Sequence, residues 1–163
     1  MGDEFVIEEV PADAREDGLV ERLAGVWERS VRATHSFLAE SDIVGMRPLV
    51  RAELVGIPQL AVAFQGGIPV GFAGASQGKL EMLFVDDGFR GKGAGAALLD
   101  HAVAHWDAHR LDVNEQNPQA RGFYEHEGFC VVARSARDGQ GNAFPLLHME
   151  RSEDARAQGA PLA

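Results

Sequence analysis

Arg90-Gly91-Lys92-Gly93-Ala94-Gly95 is the stretch of this chain with the clearest chemical meaning. Alternating glycines let a backbone approach a ligand with no Cβ in the way. The Ala/Leu-rich segment from about Gly93 to His109 reads as a helix, and a helix start offers free N–H groups and a positive dipole end to an anion. Arg90 and Lys92 add cationic charge. A phosphate or pyrophosphate is the ligand that suits such a turn. A rival reading uses the same letters: Gly91, Gly93 and Ala96 spell G-x-G-x-x-A, a dinucleotide fingerprint, with Glu115 about 20 residues on. Against it, Asp86–Arg90 separates the strand from the first glycine, and three strands already precede the unit. The P-loop pattern fails because Gly93 follows Lys92 where Ser or Thr is required.

Two other groups invite chemistry. His101, His105 and His109 recur every four residues, the spacing of one helix face. The apolar stripe of that helix is Gly95, Leu98, Leu99, Ala102, Val103 and Trp106, so His101 and His105 are expected to point to solvent, and no metal is expected. Cys130 falls on an apparent core strand and reads as packing.

The elements around the loop follow from periodicity and punctuation. Phe5–Val10 reads as a strand. Residues 14–34 read as an amphipathic helix, with Asp13 and Glu16 as a capping box. Ser41 caps a poorer helix over 42–55, bent or split at Pro48. Gln59–Phe64, Pro69–Ala75 and Lys79–Asp86 form a three-strand meander around Gly66-Gly67 and Gln77-Gly78. Leu111–Asn114 is a short strand. Asn117 caps a helix that begins at Pro118 and stops at Gly128. Phe129–Arg134 and Ala143–Met149 close the chain as a strand pair, and residues 152–163 read as a polar tail. The order β-α-α-β-β-β-α-β-α-β-β describes a mixed α/β sheet in one domain, residues 1–151.

The chain has 163 residues, 45% of them hydrophobic, which is ample for a core. Lys plus Arg number 15 and Asp plus Glu 25, a net charge of −10, which argues against nucleic-acid binding. One cysteine excludes an internal disulfide. No apolar run reaches the ~18 residues of a membrane span. The acidic opening MGDEFVIEEV lacks a signal-peptide core, so a cytoplasmic protein is expected.

R-G-K-G-A-G resembles the (Q/R)-x-x-G-x-(G/A) loop of the GNAT N-acetyltransferase superfamily. NEQNPQARGFYEHEGF resembles its second signature through Asn117, Ala120, Tyr124 and Gly128-Phe129. The likeness extends over residues 5–150. RSVRATHSFL and NEQNPQARGFYE, with RSARDGQGNAFPLLH, resemble the YjaB-type bacterial acetyltransferases, with Ala143-Phe144 standing where those tend to have Pro-Tyr. The resemblance implies the GNAT fold: a mostly antiparallel sheet of six to seven strands, about four helices, and splayed central strands. It implies acetyl-CoA as co-substrate, without a metal. Backbone N–H groups of Gly91, Lys92, Gly93, Ala94, Gly95 and Ala96, with Arg90, would hold the pyrophosphate. The edge of Leu83, Phe84 and Val85 would pair with the pantetheine arm like an added strand. Asn117 would contact the arm or the adenylyl end.

The implied reaction is direct acetyl transfer to an amine, either a protein lysine or a small amine. Tyr124 would stabilise the leaving thiolate; its pKa of ~10 against ~8.5 for a thiol makes full proton donation uphill by about 2 kcal/mol, so a hydrogen bond is the economical role. The other reading of Tyr124 is a core ring beside Phe123. Strand alternation puts Glu81 on one face with Leu83 and Val85, where a carboxylate could take the amine's proton; equally, Glu81 could be a solvated edge charge. His35, after the first helix, is a candidate base or substrate contact, or a helix-terminal histidine meeting the dipole. A non-catalytic acyl-CoA-binding module is the alternative to an enzyme. The residues fit a monomer or a homodimer.

Overall fold

The computed structural model describes residues 5–139 and 141–151. The expected tail over 152–163 lies outside them. Seven strands join in one sheet: β1 (Val6–Glu9), β2 (Gln59–Gln65), β3 (Ile68–Ser76), β4 (Lys79–Val85), β5 (Arg110–Asn114), β6 (Phe129–Ser135) and β7 (Leu146–Arg151), in the order β1-β2-β3-β4-β5-β7-β6. Every neighbouring pair is antiparallel except β4 and β5. Helices α1 (Asp17–Thr34) and α2 (Glu40–Gly56) cover one face, and α3 (Ala94–Trp106) and α4 (Pro118–His126) the other.

The sheet therefore separates two cores. Leu23, Trp27, Val31, Leu54 and Phe72 fill the α1/α2 side, and Leu98, Leu99, Trp106, Leu111 and Met149 the α3/α4 side. Each buried Leu or Phe contributes roughly 1.5–3 kcal/mol relative to exposure.

β4 and β5 pair only at Lys79 with Arg110 and at Leu80 with Leu111, then separate. The expected splay is present. A register shift between Gly74 and Ala75 leaves Glu81 as the extra residue of β4, a β-bulge. It breaks the strand's alternation: Leu80 and Leu83 pack on the α3/α4 side, Met82 and Phe84 on the α1/α2 side.

Several local expectations change. Asp13 and Glu16 form no capping box: Ala12–Ala14 is a separate 3-10 turn, and Glu16 precedes α1 with no side-chain cap. α2 starts at Glu40, not after Ser41, where the Asp42 carboxylate accepts the Ala39 N–H at 2.8 Å. It runs unbroken through Pro48, which sits on the exposed side. There the carbonyl that a proline N–H would have bonded can face solvent. α3 ends at Trp106 because Asp107 turns left-handed at φ 50°. β7 begins at Leu146, since residues 143–145 are irregular. Cys130 is exposed, because its neighbours Phe129 and Val131 are the ones packed on the core.

Candidate active site

The loop before α3 adopts the shape its glycines allow. Gly91 and Gly93 have φ of 76° and 94°, a region that costs an L-residue about 1–2 kcal/mol. Gly93 is the N-cap of α3, and the first intrahelical bond runs from Ala97 N–H to its carbonyl. The N–H groups of residues 93–96 thus lack an intrahelical acceptor and face outward from the helix start. Asp86 caps the 3-10 turn Asp87–Phe89 through Gly88 N–H and is held by Arg29 of α1 at 2.8 Å. That ion pair fixes the loop against α1.

A cavity of about 330 Å³ opens at this loop. Arg90, Gly91, Gly93, Ala94, Gly95 and Ala96 line one end, and Leu83, Phe84 and Val85 one wall. Lys92 is the one expected cofactor residue outside its lining; its ammonium lies 5.9 Å from the Phe89 ring. A smaller cavity of about 120 Å³ lies in the wedge between β4 and β5, with Glu81, Asp112 and Asn114 in its lining. Six residues line both cavities: His35, Leu83, Phe84, Asn117, Ala120 and Tyr124. The two spaces share a throat, and it carries both Tyr124 and His35.

Tyr124 is 9% exposed, and its ring packs edge-on against Phe123 and Phe129. Its hydroxyl hydrogen-bonds to no described residue. Burial pushes its pKa above the ordinary phenol value. Tyr124 belongs to the α3/α4 core and also lines both cavities.

His35 is the C-cap of α1, its N–H donating to Val31 O at 2.8 Å. Its Nδ1 lies 2.7 Å from Thr34 Oγ1, which itself donates to Ser30 O at 2.8 Å. Burial lowers its pKa below the usual imidazole value. Its ring touches Phe37, which touches Phe144, so the α1–α2 loop and the segment before β7 meet above the throat.

Glu81 is the extra residue of the β4 bulge, so simple strand alternation does not assign its face. The bulge turns its carboxylate toward Lys79, 3.6 Å away, whose ammonium also bonds Asp112 at 2.9 Å. Asp112 in turn accepts from His148 Nδ1 at 2.5 Å, and His148 Nε2 meets Ser135 Oγ at 2.7 Å. Burial opposes ionisation of Asp112, but Lys79 and His148 outweigh it and hold its pKa below the usual carboxylate value. Glu81 is thus one member of a charged row just past the last β4–β5 pair, at the closed end of the wedge.

Asn117 is buried, and its Oδ1 caps α4 by accepting Ala120 N–H at 3.2 Å. A carboxamide accepts through oxygen, which leaves its NH2 donors for the throat. His101 is not solvated as expected: it bonds Glu9 at 2.8 Å and lies against Trp106 and His105. Among the described residues, no three His, Cys, Asp or Glu side chains are grouped to hold a metal ion, and no helix is long and apolar enough to cross a membrane.

Ser30, Thr34, Gln119 and Phe123 also line the larger cavity and were not expected there. Thr34 and Phe123 stand next to residues the sequence did single out, His35 and Tyr124. Ser30 lies one turn before Thr34 on α1.

Comparison with known proteins agrees with this architecture. Residues 31–152 match the acetyltransferase (GNAT) domain family. The chain is 40% identical over 129 residues to the peptidyl-lysine N-acetyltransferase YjaB of Escherichia coli K12, covering 79% of this chain and 88% of that one. The apo-form solution structure of Escherichia coli YjaB superposes with a TM-score of 0.79 at 37% identity, covering 90% and 97%. The paiA N-acetyltransferase of Thermoplasma acidophilum, solved in complex with coenzyme A, shares the fold at a TM-score of 0.67 and 20% identity, covering 91% and 99%.

Proposed function

This chain belongs to the GNAT acetyltransferase family, and from that premise we infer that it moves the acetyl group of acetyl-CoA onto a lysine ε-amino group of a protein. Its 40% identity to a peptidyl-lysine N-acetyltransferase supports that acceptor over a small amine. The observation that carries the reading is the shared throat: one cavity ends at the helix start of α3, the other at Glu81 and Asp112, and Tyr124 and His35 lie between.

The residues present fit acetyl-CoA. The N–H groups of Gly93–Ala96, with Arg90, suit its pyrophosphate. Beyond Leu80 the β5-facing edge of β4 has no strand partner, which suits the amide-bearing arm. The Asn117 NH2 is placed to donate to that arm. The cofactor supplies an acyl carbon activated as a thioester.

The chain's own groups do the rest. An amine attacks only when neutral, and a lysine side chain near pKa ~10.4 arrives as ammonium. Glu81 and Asp112 favour the approach of that cation. His35, kept neutral by burial, takes the proton, and Tyr124 donates a hydrogen bond to the sulfur as negative charge develops there. Because Glu81 is paired with Lys79, it serves attraction rather than proton removal. The catalytic unit is residues 1–151, working in the cytoplasm.

The test is CoA release by the purified protein with acetyl-CoA and a panel of lysine peptides, N-terminal amines and small amines, with the product identified by mass spectrometry. Acetyl-lysine as the preferred product is the expected result. Acetyl-CoA binding without turnover on any amine would show a binding module instead.

A further inference from the structure

We propose that Thr34 is a positioning residue that locks His35 in the tautomer with the proton on Nδ1, leaving Nε2 bare toward the throat. The proposal rests on the assignment of His35 as base.

The number of available protons decides the tautomer. Thr34 Oγ1 lies 2.8 Å from Ser30 O and 2.7 Å from His35 Nδ1. A carbonyl oxygen only accepts, so the single hydroxyl proton goes to Ser30 O. The contact to His35 is then a hydrogen bond only if Nδ1 carries the proton and donates to Oγ1. In a neutral imidazole the other nitrogen must be the acceptor. Nε2 hydrogen-bonds to no described residue, and the ring lines both cavities.

The geometry around Thr34 makes this choice stable. Thr34 is the last residue of α1, and Ser30, one turn earlier, is 7% exposed. Back-bonding from a threonine to the carbonyl four residues before it is a local helix contact that fixes the hydroxyl rotor. His35 N–H is tied to Val31 O and its carbonyl accepts Leu38 N–H at 3.0 Å, so the backbone carrying the ring is held on both sides. The opposite tautomer would set a bare Nδ1 against an oxygen whose proton is already committed. One of the two bonds would then be lost in a partly buried site.

The step this serves is a simple proton transfer: the amine's N–H bond breaks, its proton moves to Nε2, and His35 becomes imidazolium with Nδ1–H still donating to Thr34. An Nε2–H tautomer could not accept that proton at the throat.

The test pairs Thr34→Val, which keeps the shape and loses the hydroxyl, with Thr34→Ser, which keeps the hydroxyl. In 15N-resolved imidazole spectra, the wild type should show protonated Nδ1 and bare Nε2. Thr34→Val should shift the population toward Nε2–H and lower kcat about 10-fold, a fraction of what a general base contributes. The variant should still fold, with only a modest drop in thermal stability from the lost bond to Ser30 O. Thr34→Ser should restore both tautomer and rate. A valine variant that keeps the Nδ1–H tautomer, or a serine variant that restores neither signal, overturns the proposal. His35→Gln tests the base assignment separately: unchanged kcat there would remove His35 as the base, while a tautomer shift in Thr34→Val would still establish the lock.

Discussion

Leu80 of β4 and Leu111 of β5 are the last residues across which the two central strands remain paired. One residue further, Glu81 bulges out of β4, and β5 continues in register with β7 alone. The closed end is pinned from behind, where Gly78 O accepts the His109 N–H at 2.9 Å. The wedge is therefore built into the backbone. It turns one sheet into two half-sheets with a gap in which a ligand strand and an acceptor can meet.

The first prediction concerns the anion loop. Gly93→Val places a β-branched side chain at φ 94°, where no protein atom would touch its Cβ. The fold should survive at a cost of about 1–2 kcal/mol. The side chain would stand where the phosphates approach, so acetyl-CoA binding measured by calorimetry should be lost. Unchanged affinity would remove the loop assignment.

Tyr124→Phe keeps the ring that packs on Phe129 and removes only the hydroxyl. Acetyl-CoA affinity should hold, while kcat falls about 10- to 1000-fold. Because burial raises the phenol's pKa above its ordinary ~10, the wild-type enzyme should show no alkaline loss of kcat from this group below about pH 10. Normal turnover in the variant would make Tyr124 a packing residue.

Much of this site was legible in the sequence because its parts are local. The loop is contiguous, Asn117 caps the helix that it begins, and Tyr124 sits seven residues along. What stayed hidden depends on contacts between distant segments. The β4 bulge at Glu81 arises from pairing with β3, which nothing in the alternation of β4 itself announces. Lys79 and Asp112 lie 33 residues apart, and nothing in either neighbourhood marks their ion pair. The lining by Ser30 and Thr34 follows from how α1 crosses the sheet, and Cys130 is exposed because Phe129 and Val131 take the core side of β6.

Arg15 offers a test of the scaffold apart from the chemistry. It is 8% exposed and donates to the carbonyls of Val10, Leu54, Val55 and Ile57. Two of these belong to the last turn of α2, whose carbonyls have no helical partner. Arg15→Met should cost about 2–4 kcal/mol and lower Tm by about 5–15 °C. Arg15→Lys should recover only part, since an ammonium cannot match the guanidinium fork. A melt unchanged in Arg15→Met would show that α2 does not depend on this bridge. Acetyl-CoA affinity at 25 °C should persist in both variants, because Arg15 lines neither cavity.

The last prediction separates the two candidate bases. His35 has its pKa lowered by burial, so it is neutral at pH 7 and protonates only on the acid side of the usual ~6.5. The acid limb of kcat should therefore fall below pH 6.5, with activity flat from there to neutrality. His35→Gln should lower kcat about 100-fold or more at pH 7, with part of the rate returning above pH 9 as free amine becomes abundant. Glu81→Gln should behave differently. Its carboxylate is engaged by Lys79, so its loss should raise KM for a lysine peptide several-fold and leave the pH profile of kcat in place. The reverse pattern, a reshaped kcat profile in Glu81→Gln and a pure KM effect in His35→Gln, would reassign the base to Glu81. It would also mean that Lys79 releases Glu81 when the acceptor binds, which Lys79→Met should then mimic as a lower KM for cationic peptides.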